Sequence, residues 1–187
     1  MSDITACVTL HSLLSLVTRL PAVLAALALL LLTACGNKAD AAQDAGTACA
    51  ASTGDVRDLS FTSTTVAGEN FEGTTLAGKP TVLWLWAPQC PTCRGQIAGV
   101  SSLAAAHPND LNMVGVGSLD DPTAIADFAG EVSPELTMLS DDDGAVWRYF
   151  GVTAQSTYLV LDKNGKQMAS GYLSDDELEK VVETLVG

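Results

Sequence analysis

Short continuous apolar runs alternate with helical periodicities along the last two thirds of the chain. Mostly apolar stretches at 81–86, 111–117 and 158–161 predict strands that are covered on both faces of a sheet. Weaker extended stretches at 59–62 and 64–66 predict an N-terminal β-hairpin, and 136–139 predicts a short strand. Apolar spacings of three and four residues predict helices after Pro91, Asp121 and Ser174, with a further short helix over 145–150.

Capping and turn residues place the ends of several of these elements. Asp121-Pro122 is typical of a helix N-cap followed by its first residue, and Ser174 with Glu177 forms a capping-box pattern. Asn164-Gly165 predicts a type I′ hairpin turn between the last two strands. The predicted order is β-hairpin, β-α-β-α-(β)-α and β-β-α, which indicates one α/β domain with a mixed central sheet over 57–187.

The N-terminal segment, 1–34, has a different pattern. Residues 22–32 are an unbroken run of 11 Ala, Val and Leu residues preceded by Arg19, too short to span a bilayer but typical of a signal peptide. Leu32-Thr33-Ala34-Cys35 resembles a bacterial lipobox, which implies cleavage before Cys35 and lipidation of its sulfur. Two acyl chains anchor a protein stably in a membrane. A buried core helix is the alternative interpretation of the apolar run.

Composition narrows the possible functions further. Residues 35–56 are small and polar without apolar periodicity, which predicts a flexible tether. The chain has 9 Lys and Arg against 22 Asp and Glu, giving a formal net charge of −13. Such a charge argues against non-specific nucleic-acid binding, which needs cations to replace phosphate counterions. It also gives no support to docking on anionic lipid head groups.

Cys90-Pro91-Thr92-Cys93 carries the candidate chemistry. The motif directly follows a predicted buried strand and opens a predicted helix, and in that context C-x-x-C is typical of a thiol redox site. Backbone N–H groups and the helix dipole stabilise a thiolate at the helix N-terminus, so Cys90 is the candidate nucleophile. Cys93 lies one turn later, where it can attack a mixed disulfide on Cys90 and resolve it.

Three other uses of the two cysteines remain open. A zinc site needs four ligands, and outside the signal segment and the lipobox the further Cys and His residues are Cys49 and His107. A purely structural disulfide across two residues closes too small a loop to stabilise the fold much. A copper-delivery domain would add a His or Met ligand, but Met113, Met138 and Met168 are not adjacent to either cysteine in sequence.

The stretch from Trp84 to Cys93, Trp-Leu-Trp-Ala-Pro-Gln-Cys-Pro-Thr-Cys, resembles the TlpA/DsbE-like branch of the thioredoxin superfamily. Residues 141–152 and the turn at 162–165 resemble later parts of the same domain. The resemblance implies a thioredoxin-like three-layer sandwich with a central helical insertion and an extracytoplasmic thiol–disulfide oxidoreductase. It implies exported protein thiols and an electron partner as interaction partners, no metal, and no cofactor besides the Cys90–Cys93 disulfide.

Two positions depart from the family pattern. Thioredoxins have a buried acid six residues before the first cysteine, and this chain has Trp84 there. The family has a cis-proline in the loop before the 158–161 strand, and this chain has Ser156 after Gln155. The missing acid and an oxidising compartment favour an oxidase over a reductase. Serine in place of proline leaves the sulfurs open to a soft metal, which keeps a copper carrier as the alternative.

The resemblance also predicts which side chains surround the two sulfurs. They are Trp86, Pro88, Pro91, Thr92, Gln155 and Ser156, with Trp86 interpreted as half core and half rim. Arg94 is interpreted as either a support for the Cys90 thiolate or a solvated helix residue. The acidic run 141–143 lacks the later glutamate of a calcium loop and is interpreted as a solvated turn.

Overall fold

The computed structural model describes residues 54–187. The predicted signal peptide, most of the predicted tether, the lipidation site Cys35 and Cys49 lie outside the described residues, so those predictions stay predictions. Within the described part of the chain, no helix combines the length and the apolar character that crossing a membrane requires.

A seven-stranded mixed sheet forms the centre of the domain, in the order β2-β1-β5-β4-β3-β6-β7. The strands are β1 Thr62–Thr65, β2 Asn70–Glu72, β3 Thr81–Trp86, β4 Asn112–Gly117, β5 Thr137–Ser140, β6 Thr157–Leu161 and β7 Gln167–Gly171. The three strands β3, β4 and β5 are parallel to one another, and the outer strands pair antiparallel. The α/β prediction with a mixed sheet is confirmed.

Four helices cover the two faces of this sheet: α1 Pro91–Ala106, α2 Pro122–Ala129, α3 Ala145–Phe150 and α4 Asp175–Val186. Every residue of β3 is buried, as its continuous apolar run predicts. Because side chains alternate along a strand, Trp84 and Trp86 face the core beneath α1, α2 and α4, whereas Leu83 and Leu85 face the core that contains α3. The strand that leads to the cysteines is therefore packed on both faces.

The predicted helix starts are observed with their capping bonds. The Asp121 carboxylate accepts the N–H groups of Thr123 at 2.9 Å and Ala124 at 3.1 Å. Ser174 and Glu177 form the reciprocal capping box at the start of α4. Short polar side chains thus satisfy N–H groups that a helix leaves unpaired at its start.

The predicted N-terminal hairpin is present with different bounds: its strands are β1 and β2 rather than 59–62 and 64–66, because Thr62 and Thr64 pair with Glu72 and Asn70. Another local prediction is wrong. The turn at 162–165 is not type I′, since Gly165 has a positive φ of 78° and Asn164 does not. The Asp162 carboxylate instead accepts the N–H groups of Asn164 and Lys166, which holds the turn in its observed shape.

The acidic run at 141–143 also differs from the prediction. Asp142 and Asp143 are exposed, but Asp141 is only 2% exposed. Its two carboxylate oxygens accept the N–H groups of Val146 at 2.8 Å and Trp147 at 3.0 Å. Burial raises the pKa of this carboxyl group above its ordinary value. Asp141 is therefore a structural link between β5 and α3 rather than part of a solvated turn.

Candidate active site

The two motif cysteines form a disulfide at the junction of β3 and α1, with their Cα atoms 5.3 Å apart. Cys90 is the N-cap of α1, Pro91 occupies the first helical turn, and the Cys90 sulfur accepts the Cys93 N–H at 3.1 Å. Proline suits this position because its missing N–H would have no partner there. The sequence pattern therefore places the Cys90 sulfur where helix N–H groups stabilise negative charge.

Solvent access differs between the two sulfur-bearing residues. Cys90 retains 3% exposure, whereas Cys93 has none. A substrate sulfur approaching from outside can therefore reach Cys90 first, and Cys93 only through the bond that joins the two. This asymmetry supports the predicted division into an attacking and a resolving cysteine.

Ser156 lies directly against the disulfide, at the end of the loop that leads into β6. Its hydroxyl oxygen is 3.1 Å from the Cys90 sulfur and 3.1 Å from the Cys93 sulfur. Its backbone φ of 62° lies in the left-handed region, which costs a residue other than glycine about 1–3 kcal/mol. Proline requires φ near −65°, so this backbone could not hold proline without rearranging. The sequence correctly predicts Ser156 beside the sulfurs but gives no sign of this conformation.

Trp84 fills the position of the missing acid. Its side chain is fully buried, and its indole N–H donates to the Gln96 side-chain oxygen at 2.9 Å. Gln96 lies one turn after Cys93 on α1 and is itself 5% exposed. The position is therefore occupied by a neutral, hydrogen-bonded pair, and neither of its members is a base that could take a proton from Cys93.

The interpretation of Trp86 as half rim is wrong. Its side chain has no exposure, and its ring stacks on Phe128 with centroids 4.2 Å apart and an interplanar angle of 17°. Trp86 points to the face of β3 that α2 covers. Trp86 therefore supports the motif from inside the core and offers no surface to a substrate.

The surface around the sulfurs comes from three loops. Pro91, Thr92 and Gln155 are exposed and Pro88 is half-buried, at the rim positions that the resemblance implies. Sequence reasoning missed Leu119, which is 53% exposed, has φ of 64° and accepts a hydrogen bond from the Gln89 side chain at 3.4 Å. The position of Leu119 just after β4 could have indicated this, because the carboxyl ends of neighbouring parallel strands lie at the same edge of the sheet.

Arg94 does not approach the sulfurs as a supporting cation. Its guanidinium forms an ion pair with Glu131 and lies 4.9 Å from the centroid of the Phe128 ring. Both members of the ion pair are about half exposed, so its contribution to stability is small. The structure agrees with the interpretation of Arg94 as a solvated helix residue.

A disulfide at the N-terminus of the helix that follows a fully buried inner strand of a mixed sheet defines a thioredoxin-like thiol–disulfide oxidoreductase. The Redoxin family model matches residues 41–185, and the chain belongs to this family. The predicted DsbE-like branch is confirmed by the relatives described next.

The chain is similar to secreted and disulfide-exchanging proteins of Mycobacterium tuberculosis. Soluble secreted antigen MPT53 is 34% identical over 131 residues, which are 68% of this chain and 75% of that protein. The structure of DsbF in mixed oxidised and reduced forms has 42% identity and a TM-score of 0.64, covering 68% of this chain and 96% of DsbF. A secreted disulfide oxidoreductase described as homologous to Escherichia coli DsbE has 34% identity and a TM-score of 0.63, covering 68% and 97%.

Proposed function

We propose that the protein is a membrane-anchored, extracytoplasmic oxidase that transfers its Cys90–Cys93 disulfide to exported proteins. The observation that carries this proposal is the position of the Cys90 sulfur at the start of α1, where it accepts the Cys93 N–H. The helix N-terminus stabilises the Cys90 thiolate, and this favours the reduced form of the motif. A couple whose reduced form is stabilised is a stronger oxidant.

The neutral Trp84–Gln96 pair supports the same direction. In a reductase, the Cys93 thiol must lose its proton before it attacks the mixed disulfide on Cys90. The pair at the position of the family's acid offers no carboxylate for that proton. In an oxidase, Cys93 instead leaves as a thiolate, and that step needs no base.

Oxidation of a substrate dithiol proceeds in two exchanges. A substrate thiolate attacks the Cys90 sulfur, and the electron pair of the Cys90–Cys93 bond passes to Cys93. The second substrate thiolate then attacks the substrate sulfur of the mixed disulfide and releases Cys90 as a thiolate. The substrate loses two electrons and gains a disulfide, while the motif gains the two electrons.

The direction is tested with the oxidised full-length chain and a reduced, unfolded protein that contains two cysteines. We expect one substrate disulfide to form for each Cys90–Cys93 disulfide consumed, measured by alkylation and mass spectrometry. We expect the same chain to reduce insulin more slowly than it oxidises this substrate. A chain whose two cysteines have been reduced and alkylated is the control. Rapid insulin reduction together with no substrate oxidation would contradict the oxidase.

A soft-metal carrier is the alternative function, and experiments on the same full-length chain distinguish it from the oxidase. Among residues 54–187, no group of three or more His, Cys, Asp or Glu side chains is arranged to hold a metal ion. A carrier would therefore use the two sulfurs as its main ligands. Tight binding of Cu(I) by the reduced chain in competition with glutathione, combined with no disulfide transfer, would establish the carrier and overturn the oxidase.

The anchor is a separate part of the proposal and rests on the lipobox-like residues 32–35. Wild-type protein should partition with membranes and carry lipid mass on Cys35. Cys35→Ala should move it to the soluble or mislocalised fraction without changing the potential of the Cys90–Cys93 couple. Because MPT53 is named a soluble secreted antigen, fractionation is decisive: wholly soluble wild type without lipid would contradict the anchor.

A further inference from the structure

The Ser156 hydroxyl is the polar group that both motif sulfurs share. It lies 3.1 Å from each of them, and Ser156 is only 7% exposed. The Cys90 sulfur also accepts the Cys93 N–H, whereas the Cys93 sulfur has no hydrogen bond other than this one in the part of the chain that the structure describes. Ser156 is therefore placed to act on the sulfur that nothing else supports.

A hydroxyl in this position acts differently on a disulfide and on a thiolate. Disulfide sulfurs are neutral and accept hydrogen bonds weakly, whereas a hydrogen bond to an ionised acceptor is about twice as strong as one between neutral groups. The bond therefore strengthens when either sulfur becomes a thiolate. Burial adds to the difference, because water competes little for the charge at this site.

We propose that Ser156 is a catalytic residue whose hydroxyl donates a hydrogen bond to whichever motif sulfur carries the negative charge, and that it thereby makes the disulfide more oxidising. This inference rests on the proposed oxidase function. Ser156 then has a chemical role that the proline found at this position in the family could not have, since proline has neither a hydroxyl nor an N–H to donate.

The donor follows the charge through both exchanges. When a substrate thiolate attacks Cys90, the Cys90–Cys93 bond breaks and the electron pair moves to the Cys93 sulfur, which accepts the Ser156 O–H. When the second substrate thiolate completes the substrate disulfide, the electron pair moves to Cys90. The Cys93 thiolate then takes a proton from solvent, and the Ser156 O–H turns to the Cys90 thiolate without the oxygen having to move.

The loop backbone holds the hydroxyl in place. The left-handed conformation of Ser156, with φ of 62°, belongs to a loop in which the Thr157 hydroxyl donates to the Ala154 carbonyl at 2.8 Å. Thr157 then begins β6 and pairs with Leu85, one residue before β3 ends at Trp86. A strained backbone that places a polar atom on reacting atoms is common at functional sites.

The test compares Ser156→Ala and Ser156→Gly with wild type in the full-length chain. Equilibration with glutathione, followed by alkylation and peptide mass spectrometry, reports the Cys90–Cys93 couple separately from Cys7, Cys35 and Cys49. We expect both variants to shift the equilibrium about tenfold toward the disulfide, which corresponds to about 30 mV for two electrons. The pH dependence of Cys90 alkylation should move upward by about one unit, the same free energy expressed as a pKa.

Two comparisons separate the hydroxyl from the backbone. Glycine accepts a positive φ without strain and alanine does not, so equal shifts in the two variants assign the effect to the lost oxygen. Thr153→Val removes an exposed hydroxyl from the same loop and should leave the potential and the Cys90 alkylation profile unchanged. Equilibrium constants within twofold of wild type in both Ser156 variants would overturn the inference, as would a Thr153→Val shift of the same size.

Failure of this inference is distinguishable from failure of the proposed function, because the glutathione equilibrium needs no protein substrate. Unchanged Ser156 variants with intact substrate oxidation would overturn only the role of Ser156. A tenfold shift in a chain that oxidises no protein substrate would leave the hydrogen bond established and overturn only the oxidase.

Discussion

A Cys93→Ser protein should accumulate mixed disulfides with its substrates, whereas a Cys90→Ser protein should form none and lose exchange activity entirely. Cys90 is the cysteine with residual exposure and sits at the N-terminus of α1, so an incoming thiol meets it first. In Cys93→Ser, the Cys90 thiolate attacks the disulfide of an oxidised substrate and one substrate sulfur leaves as a thiolate. The mixed disulfide then persists, because no Cys93 thiol is present to displace the substrate. Non-reducing gels and mass spectrometry of trapped complexes measure the difference.

The controls for this experiment come from the chain itself. Cys49→Ser should trap nothing and exchange normally, because Cys49 is a single thiol in the predicted tether. The double variant Cys90→Ser, Cys93→Ser should remove the complexes seen with Cys93→Ser alone. Complexes trapped by Cys90→Ser and not by Cys93→Ser would reverse the assignment of the two sulfurs.

The sequence predicted the elements that its strongest patterns specify. The continuous apolar run of β3 predicts burial on both faces, and Pro91 suits the first turn of a helix, so strand, motif and helix can be predicted from the 16 residues 81–96. The capping residues Asp121 and Ser174 likewise act through N–H groups two or three residues away. Such local interactions can be inferred without knowledge of the rest of the fold.

The features that sequence reasoning missed depend on distant contacts. Asp141 looks like its exposed neighbours Asp142 and Asp143, and its burial follows from the docking of α3 on the sheet. Leu119 reaches the motif because β4 lies beside β3 in the sheet. The Ser156 backbone is left-handed where its hydroxyl meets the two sulfurs, and a serine in a loop carries no local signal for that conformation.

Trp86→Ala should lower the free energy of unfolding by about 3–5 kcal/mol, the usual loss when a large aromatic side chain is removed from a core. Trp86 is fully buried and stacks on Phe128, so truncation leaves a cavity between β3 and α2. This is a large part of the 5–15 kcal/mol typical of folded domains. Urea unfolding of the oxidised chain, followed by circular dichroism, measures it.

Trp86→Phe and Tyr172→Ala are the matched comparisons. Phenylalanine retains an aromatic face against Phe128, and the Trp86 indole N–H has no hydrogen-bond partner among the described residues, so this substitution should cost less than truncation to alanine. Tyr172 is 63% exposed, and its removal should change the unfolding free energy by less than about 0.5 kcal/mol. If Trp86 were instead a substrate-contacting rim residue, Trp86→Ala would slow disulfide transfer while leaving the unfolding midpoint close to that of wild type.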